Sequence, residues 1–211
     1  TAAVYDKIIL AGPVADAAAV NASPWAQKVK NQGFLKRGGV ETSVIFSLKD
    51  PVTGRTMGFD AGIGDLLAHY ILGSSDVAKL QQTSLVTSDT RETMLQNNTV
   101  DAVIATYSIT PARAQKVAFA GPYYSSGTAV QVRRDNTTIN SYKDLDGKKV
   151  ATESNSTGLT ALQKFVPTAQ VTLFSDNDSC IAALEQGRVD AYVLDQAILL
   201  SNAAKNKNLK V

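Results

Sequence analysis

The sequence predicts an α/β protein built from two similar lobes, and three observations carry that expectation. Segments with helical apolar spacing alternate with short β-type runs along the whole chain. The stretch Leu95-Gln96-Asn97-Asn98-Thr99-Val100-Asp101-Ala102-Val103-Ile104 is echoed by Leu184-Glu185-Gln186-Gly187-Arg188-Val189-Asp190-Ala191-Tyr192-Val193. Each copy reads as a helix end, a tight turn and a buried strand entered through Val-Asp-Ala. The 211 residues, 44% hydrophobic and 19% charged, have ordinary globular composition and suffice for one large domain or two small ones.

Residues 1–24 are Ala-rich and weakly periodic, and are expected to form a mobile leader. A helix follows over Pro24–Gln32, stopped by Gly33. Residues 39–48 have strand composition broken by polar side chains, and Asp50-Pro51-Val52-Thr53-Gly54 is a turn. Phe59, Ile63, Leu66, Leu67, Tyr70 and Ile71 recur at helical spacing, with Gly73 as a natural stop. A strand near residues 81–86 precedes Asp89-Thr90-Arg91-Glu92, which fits an N-cap with Glu three residues on, opening a helix that ends near Asn97. The β-type run 100–105 leads into Thr110-Pro111, an N-cap followed by proline at the first helical position. Residues 119–124 mark the passage to the next unit. Beyond them a strand is expected over 128–132, a polar connection over 142–149 and another strand from Val150. The expected domains are a leader (1–24), a first lobe (25–124) and a second lobe (125–211).

Several function classes are excluded. A net charge of +2 with no Lys/Arg block argues against a nucleic-acid partner. The longest apolar stretches, such as 100–104 and 192–194, fall far short of the roughly 20 residues of a membrane helix. No signal peptide is read, as expected of a cytosolic chain or of the mature form of an exported one. With one His and one Cys, neither a His/Cys metal site nor an internal disulfide is expected. Cys180 sits in an apolar helical pattern and reads as a buried, inert thiol. His69 lies mid-helix with no nucleophile placed near it, so no catalytic residue is assigned. No cofactor is expected.

Chemistry concentrates at three helix starts that follow strands: near Asp89, near Thr110 and at Ser154-Asn155-Ser156-Thr157-Gly158. Such a start presents unpaired N–H groups and positive partial charge. Arg91 and Arg113 sit in the first turn of two of them, opposing the helix dipole at a cost of roughly 0.3–1 kcal/mol. Each either serves an anionic ligand, which the planar guanidinium can hold as a fork, or projects into water or pairs with an acid such as Glu92. The hydroxyls of Ser88, Thr106 and Ser108 on the preceding strand ends favour the ligand. Asp195, between a strand and a helix, reads both as an N-cap and as a counter-ion for an ammonium group. Asp101 and Asp190, at the opposite strand ends, read as structural.

Ile109-Thr110-Pro111-Ala112-Arg113, followed by Val117-Ala118-Phe119 and Pro122-Tyr123-Tyr124, resembles the polar amino-acid-binding proteins of ABC importers, which have the two-lobed type II periplasmic-binding-protein fold. Lys143-Asp144-Leu145-Asp146-Gly147-Lys148-Lys149-Val150-Ala151 resembles the opening of their second lobe, and Val189-Asp190-Ala191 through Leu194-Asp195 their late strand. Residues 46–60, with Asp50-Pro51 and Gly58-Phe59-Asp60, match a Gram-positive subgroup. The resemblance runs from about Trp25 to Val211.

It implies an α/β fold of two lobes joined by a hinge, with a ligand cleft between them. It also implies that the first lobe lacks its usual C-terminal return segment in these 211 residues. Arg113 would clamp the ligand α-carboxylate, with Ser108 and Thr157 adding hydrogen bonds and Ser156 lying in the same loop. Asp195 would hold the α-ammonium, helped by Ser108 and a carbonyl near Thr106. Ser88 and Arg91 would face the ligand side chain. Glu41 stands where acidic-ligand binders tend to carry a base. Either it pairs with Arg91 or the ligand carries an amide. Asn155 replaces the usual glycine of a Gly-Ser-Thr loop.

The implied function is capture of a free amino acid and its delivery to a membrane ABC permease. Glutamate or aspartate is favoured, with glutamine or asparagine next. The protein would be a monomer outside the cytoplasm, either periplasmic or a cell-surface lipoprotein of a Gram-positive bacterium, and not an enzyme. A sensor domain reporting to a membrane kinase is one alternative. An enzyme of the same fold, such as a cyclohexadienyl dehydratase, is another, with Glu153 or Glu41 as its proton donor.

Overall fold

The computed structural model describes residues 1–211. The leader expected over 1–24 is corrected, because two helices form there. These are α1 (Ala2–Leu10), started by the Thr1 side chain, and α2 (Ala17–Asn21), started by Asp16. Ile9 and Val20 give the reason. Both are buried in one core with Val29, Leu35, Ala68, Ile71 and Leu80, so apolar burial, at about 25 cal/mol per Å², offsets the cost of ordering the segment.

The third helix, α3 (Pro24–Gln32), has the predicted bounds. The Ser23 hydroxyl accepts from Ala26 N at 3.1 Å, and Gly33 closes the helix in the left-handed conformation. Next come β1 (Leu35–Gly39), β2 (Thr42–Ser43), β3 (Ser47–Lys49) and β4 (Thr56–Met57). The last three form a small antiparallel sheet, and the predicted turn over 50–54 joins β3 to β4. Helix α4 (Phe59–Leu72) stops at Gly73 as predicted. After β5 (Gln81–Leu85), α5 (Arg91–Gln96) and β6 (Ala102–Val103), a parallel sheet is complete in the order β5-β1-β6.

Two boundaries differ from expectation. The strand expected over 100–105 shortens to β6, because Ile104 N makes a last bond to Gly38 O and Thr106 then turns left-handed at φ 48°. The cap expected at Asp89 passes to Thr90, which makes no side-chain capping bond. The Asp89 carboxylate instead accepts from the Ser154 hydroxyl at 2.9 Å.

After the short α6 (Pro111–Ala114), the chain lays down β7 (Thr128–Arg133), β8 (Lys149–Glu153), α7 (Thr157–Phe165), β9 (Gln170–Phe174) and α8 (Asn177–Glu185). It ends with β10 (Ala191–Asp195), α9 (Gln196–Lys205) and β11 (Leu209–Lys210). The sheet order is β11-β7-β10-β8-β9, with β7 antiparallel to both neighbours. Alternation along β10 sends Tyr192 and Leu194 into one core cluster and Ala191 and Val193 into another, so both faces are covered. Cys180 of α8 is fully buried in the first of these, and burial pushes its thiol well above the ordinary range.

Residues 1–86, 90–107 and 115–117 form one compact unit, and residues 87–89, 108–114 and 118–211 form the other. The division expected after residue 124 therefore falls earlier, and two short segments belong with the second unit through hydrogen bonds described below. The sequence echo is real structure. Asn98 and Gly187, at matching turn positions, are both left-handed. Asp101 Oδ2 accepts from Lys36 N at 2.9 Å and Asp190 Oδ2 from Lys149 N at 3.1 Å, each sealing the entrance of a central strand.

One carboxyl in the first unit should be visible in the pH dependence of stability. Asp65 of α4 is buried and accepts from the Tyr5 hydroxyl at 2.6 Å, and desolvation pushes its pKa up to about 6. Since an unfolded Asp titrates near 3.9, the contribution is fully present below pH ~4 and is lost as pH rises through ~6. The whole effect is on the order of 3 kcal/mol. Melting curves from pH 4 to 7.5 should show Asp65→Asn losing this slope relative to the parent. Parallel curves would rule the assignment out.

Candidate functional site

Strand β8 ends at Glu153, and the chain turns through Ser154 and Asn155 into α7. Asn155 adopts φ 57°, a left-handed conformation that asparagine tolerates where glycine is otherwise preferred. The Ser156 hydroxyl accepts from Leu159 N at 3.3 Å and donates to Glu153 O at 2.7 Å. Its predicted place in the ligand loop is thus taken up by starting the helix. Gly158 presses this start onto β10, since a Cβ there would lie 2.8 Å from Val193 O and 2.6 Å from Thr152 Oγ1. Gly158→Ala should therefore cost roughly 1–3 kcal/mol of stability by overpacking. The check is a lowered melting temperature; an unchanged one would mean that β10 yields.

Arg113 on α6 is buried at 7% exposure. Its Nη1 donates to Ser108 O at 2.8 Å and its Nη2 to Asn155 O at 3.1 Å. The Thr110 hydroxyl accepts from Arg113 N at 3.2 Å, as the predicted cap requires. Because α6 has only four residues, Arg113 stands at its C-terminal end. The dipole penalty expected for it does not arise.

Asp195 occupies the N-cap position of α9 but makes no side-chain capping bond. Its Oδ1 accepts from the Thr157 hydroxyl at 3.3 Å. The first amides of α9 are satisfied elsewhere, Gln196 N by Gly127 O at 2.7 Å and Ala197 N by Ser126 Oγ at 3.2 Å. Of the two readings of Asp195, the cap is therefore not the one the side chain serves.

Around the same helix start, the Ser88 hydroxyl donates to Glu153 Oε2 at 2.8 Å, and Asn155 Nδ2 donates to Ser88 O at 3.3 Å. The second unit thus brings together Ser88, Ser108, Arg113, Ser156, Thr157 and Asp195. They form one hydrogen-bonded neighbourhood at the N-terminus of a nine-residue helix. It holds a fixed cation, a fixed anion and hydroxyl groups, a set matched to the charges of a zwitterion.

Arg91, Thr106 and Glu41 lie in the first unit. The Arg91 guanidinium is 5% exposed. It stacks over the Tyr107 ring at 4.4 Å and donates to Ala105 O at 2.9 Å and, more weakly, to Thr106 O at 3.5 Å. Glu41 pairs with Lys49 at 3.6 Å. Asp60 and Arg37 were missed in the sequence. The Asp60 carboxylate accepts from Thr106 N at 2.7 Å, and Arg37 Nε donates to Ile104 O at 3.1 Å. The available signals were an arginine in the central strand Leu35–Gly39 and an acid in the first turn of α4.

Residues 36–186 match the family model described as bacterial extracellular solute-binding proteins, family 3. The glutamine-binding protein of Geobacillus stearothermophilus is 37% identical over 88% of this chain and 70% of its own length. The ABC transporter glutamine-binding protein GlnH of Bacillus subtilis is 36% identical over 82% of this chain, which spans only 63% of that relative. The glutamate-binding protein GluB of Corynebacterium efficiens is 38% identical over a shorter stretch, 56% of this chain and 40% of its own. Among solved structures, the solute receptor for L-cysteine of Neisseria gonorrhoeae superposes with a TM-score of 0.81 at 27% identity, covering 88% of this chain and 74% of its own.

The fold is accordingly that of the type II periplasmic binding proteins. The chain belongs to family 3 of the bacterial extracellular solute-binding proteins.

Proposed function

We propose that this chain captures a single polar amino acid outside the cytoplasm and delivers it to an ABC importer, with glutamine the preferred ligand. The observation that carries the reading is the pairing of Arg113 and Asp195 through one helix start, Arg113 to Asn155 O and Asp195 to the Thr157 hydroxyl. Arg113 takes the α-carboxylate with Thr157 and Ser108 beside it, and Asp195 takes the α-ammonium with the Ser108 hydroxyl. Ser88 meets the side-chain end. Binding breaks no bond, so the role is that of a receptor rather than an enzyme.

Glutamate and aspartate led the sequence reading because Arg91 was to offer a cation to the ligand side chain. That guanidinium is engaged with backbone carbonyls and a tyrosine ring of the first unit. The two relatives from Geobacillus and Bacillus described above, 37% and 36% identical, carry glutamine in their names. Monomeric state and a lipid anchor belong to the same proposal.

Isothermal titration of the full chain with glutamine, glutamate, aspartate and asparagine tests it. Glutamine should bind with glutamate at least about tenfold weaker, a gap of ~1.4 kcal/mol. Tighter glutamate would reverse the choice of ligand, and no binding by any of the four would overturn the receptor reading.

A further inference from the structure

Three helices of the second unit, α7, α8 and α9, follow strands, and they are capped in two different ways. At α7 the Ser156 hydroxyl accepts from Leu159 N at 3.3 Å, and at α8 the Asp176 carboxylate accepts from Ser179 N at 2.8 Å. Each of these caps is the residue standing at the N-cap position, the usual arrangement. At α9 that position belongs to Asp195, a residue type as well suited to the task as Asp176, yet its side chain makes no capping bond.

The cap of α9 comes instead from a segment 71 residues away in sequence. Strand β7 runs antiparallel to β10 with Thr128 opposite Asp195, so the residues before Thr128 continue beside the first turn of α9. Gly127 O accepts from Gln196 N at 2.7 Å, and the Ser126 hydroxyl accepts from Ala197 N at 3.2 Å. The same hydroxyl donates to Gly127 O at 3.3 Å, which leaves its lone pairs for the helix. Ala197 is the second helical residue, one of the two whose amide a capping side chain ordinarily takes. Ser126 therefore fills the place that local chemistry offers to the Asp195 carboxylate, and Asp195 Oδ1 meets the Thr157 hydroxyl at 3.3 Å.

We infer that Ser126 is a positioning residue of the binding site: by capping α9 in place of Asp195, it keeps that carboxylate turned toward Thr157 and the ligand α-ammonium. The inference rests on the receptor reading above and adds to it the group that decides between the two uses of Asp195. Ser126, Arg113, Thr157 and Asp195 all belong to the second unit. Ser126 acts through Asp195 and not on the ligand. Without its hydroxyl, the acceptor that local chemistry supplies to Ala197 N is the carboxylate two residues before it. A ligand would then have to draw Asp195 out of the cap, losing a bond whose usual worth corresponds to about fivefold in affinity.

The test compares the full chain with Ser126→Ala and Ser126→Thr. Affinity is measured by isothermal titration with L-glutamine, or with L-glutamate if the parent prefers it, and stability by thermal melting followed by circular dichroism. Ser126 is exposed, so neither substitution disturbs the core. Ser126→Ala should bind about fivefold more weakly, while its melting temperature falls by less than about 1 °C because Asp195 takes over the cap. Ser126→Thr keeps the hydroxyl and should bind within about twofold of the parent.

A residue that merely caps the helix would behave in the opposite way: a lost cap lowers the melting temperature by roughly 2–4 °C and leaves affinity alone. That result would overturn the inference, as would an affinity unchanged in Ser126→Ala or a loss that Ser126→Thr does not restore. Weaker binding together with the full drop in melting temperature would overturn it too, since Asp195 would not have entered the cap. A parent chain that binds none of glutamine, glutamate, aspartate and asparagine would instead overturn the receptor reading, so the two failures are distinguishable.

Discussion

Arg113→Ala should weaken amino-acid binding by roughly 100-fold or more, about 3 kcal/mol, the scale of a lost charge-assisted hydrogen-bond pair. The guanidinium is buried, and two of its bonds go to carbonyls of the second unit, so its orientation is set before a ligand arrives. A carboxylate meeting it forms bonds without the side chain losing further freedom. Arg113→Lys should recover only a small part of the loss, because a point charge cannot reproduce a planar fork. Titration calorimetry on both variants, with melting curves as the folding control, checks this. A loss below about threefold in Arg113→Ala would show that the carboxylate is held elsewhere, since a bond of this kind is worth far more.

Asp195→Asn is expected to have the second largest effect, again roughly 100-fold in affinity if the carboxylate is the counter-ion of a desolvated ammonium. Its two readings make opposite forecasts. As an N-cap, aspartate is replaced by an equally good one in asparagine, so stability and binding would both hold. A counter-ion lost costs binding and leaves α9 alone, since Gln196 and Ala197 already have acceptors in Gly127 and Ser126. Measuring affinity and melting temperature on the same preparation separates them. An affinity unchanged in Asp195→Asn would overturn the counter-ion role.

Parts of both units were legible where local chemistry and global fold agree. Gly73, Gly33 and the Thr110-Pro111 pair ended or opened their helices as their backbone preferences dictate. The Val-Asp-Ala echo marked two strand entrances that the structure builds alike. The N-terminal segment was not legible. Its alanines give weak periodicity, and only the two buried anchors, Ile9 and Val20, reveal that it packs.

The candidate site was half readable. Arg113, Thr157 and Asp195 announce themselves by lying at strand-to-helix joints, where backbone groups and side chains converge. Arg91 lies at a similar joint, yet its guanidinium turns back into its own unit, and no local pattern distinguishes the two arginines. Asp60 and Arg37 were passed over because the backbone atoms they meet, Thr106 N and Ile104 O, lie more than forty residues away in sequence, and spacing rules reach only a few turns.

The chain's one thiol has a practical consequence. Cys180 is sealed among Ala151, Ala183, Leu184, Tyr192 and Leu199 with its proton held tightly, so alkylating reagents, which attack thiolate, will pass it by. A cysteine introduced on the surface could then be labelled with a fluorophore in the otherwise native sequence, with no background from Cys180 while the fold holds. The same burial makes labelling of Cys180 a gauge of unfolding: dye uptake by the parent chain under denaturant would count the molecules whose second unit has opened.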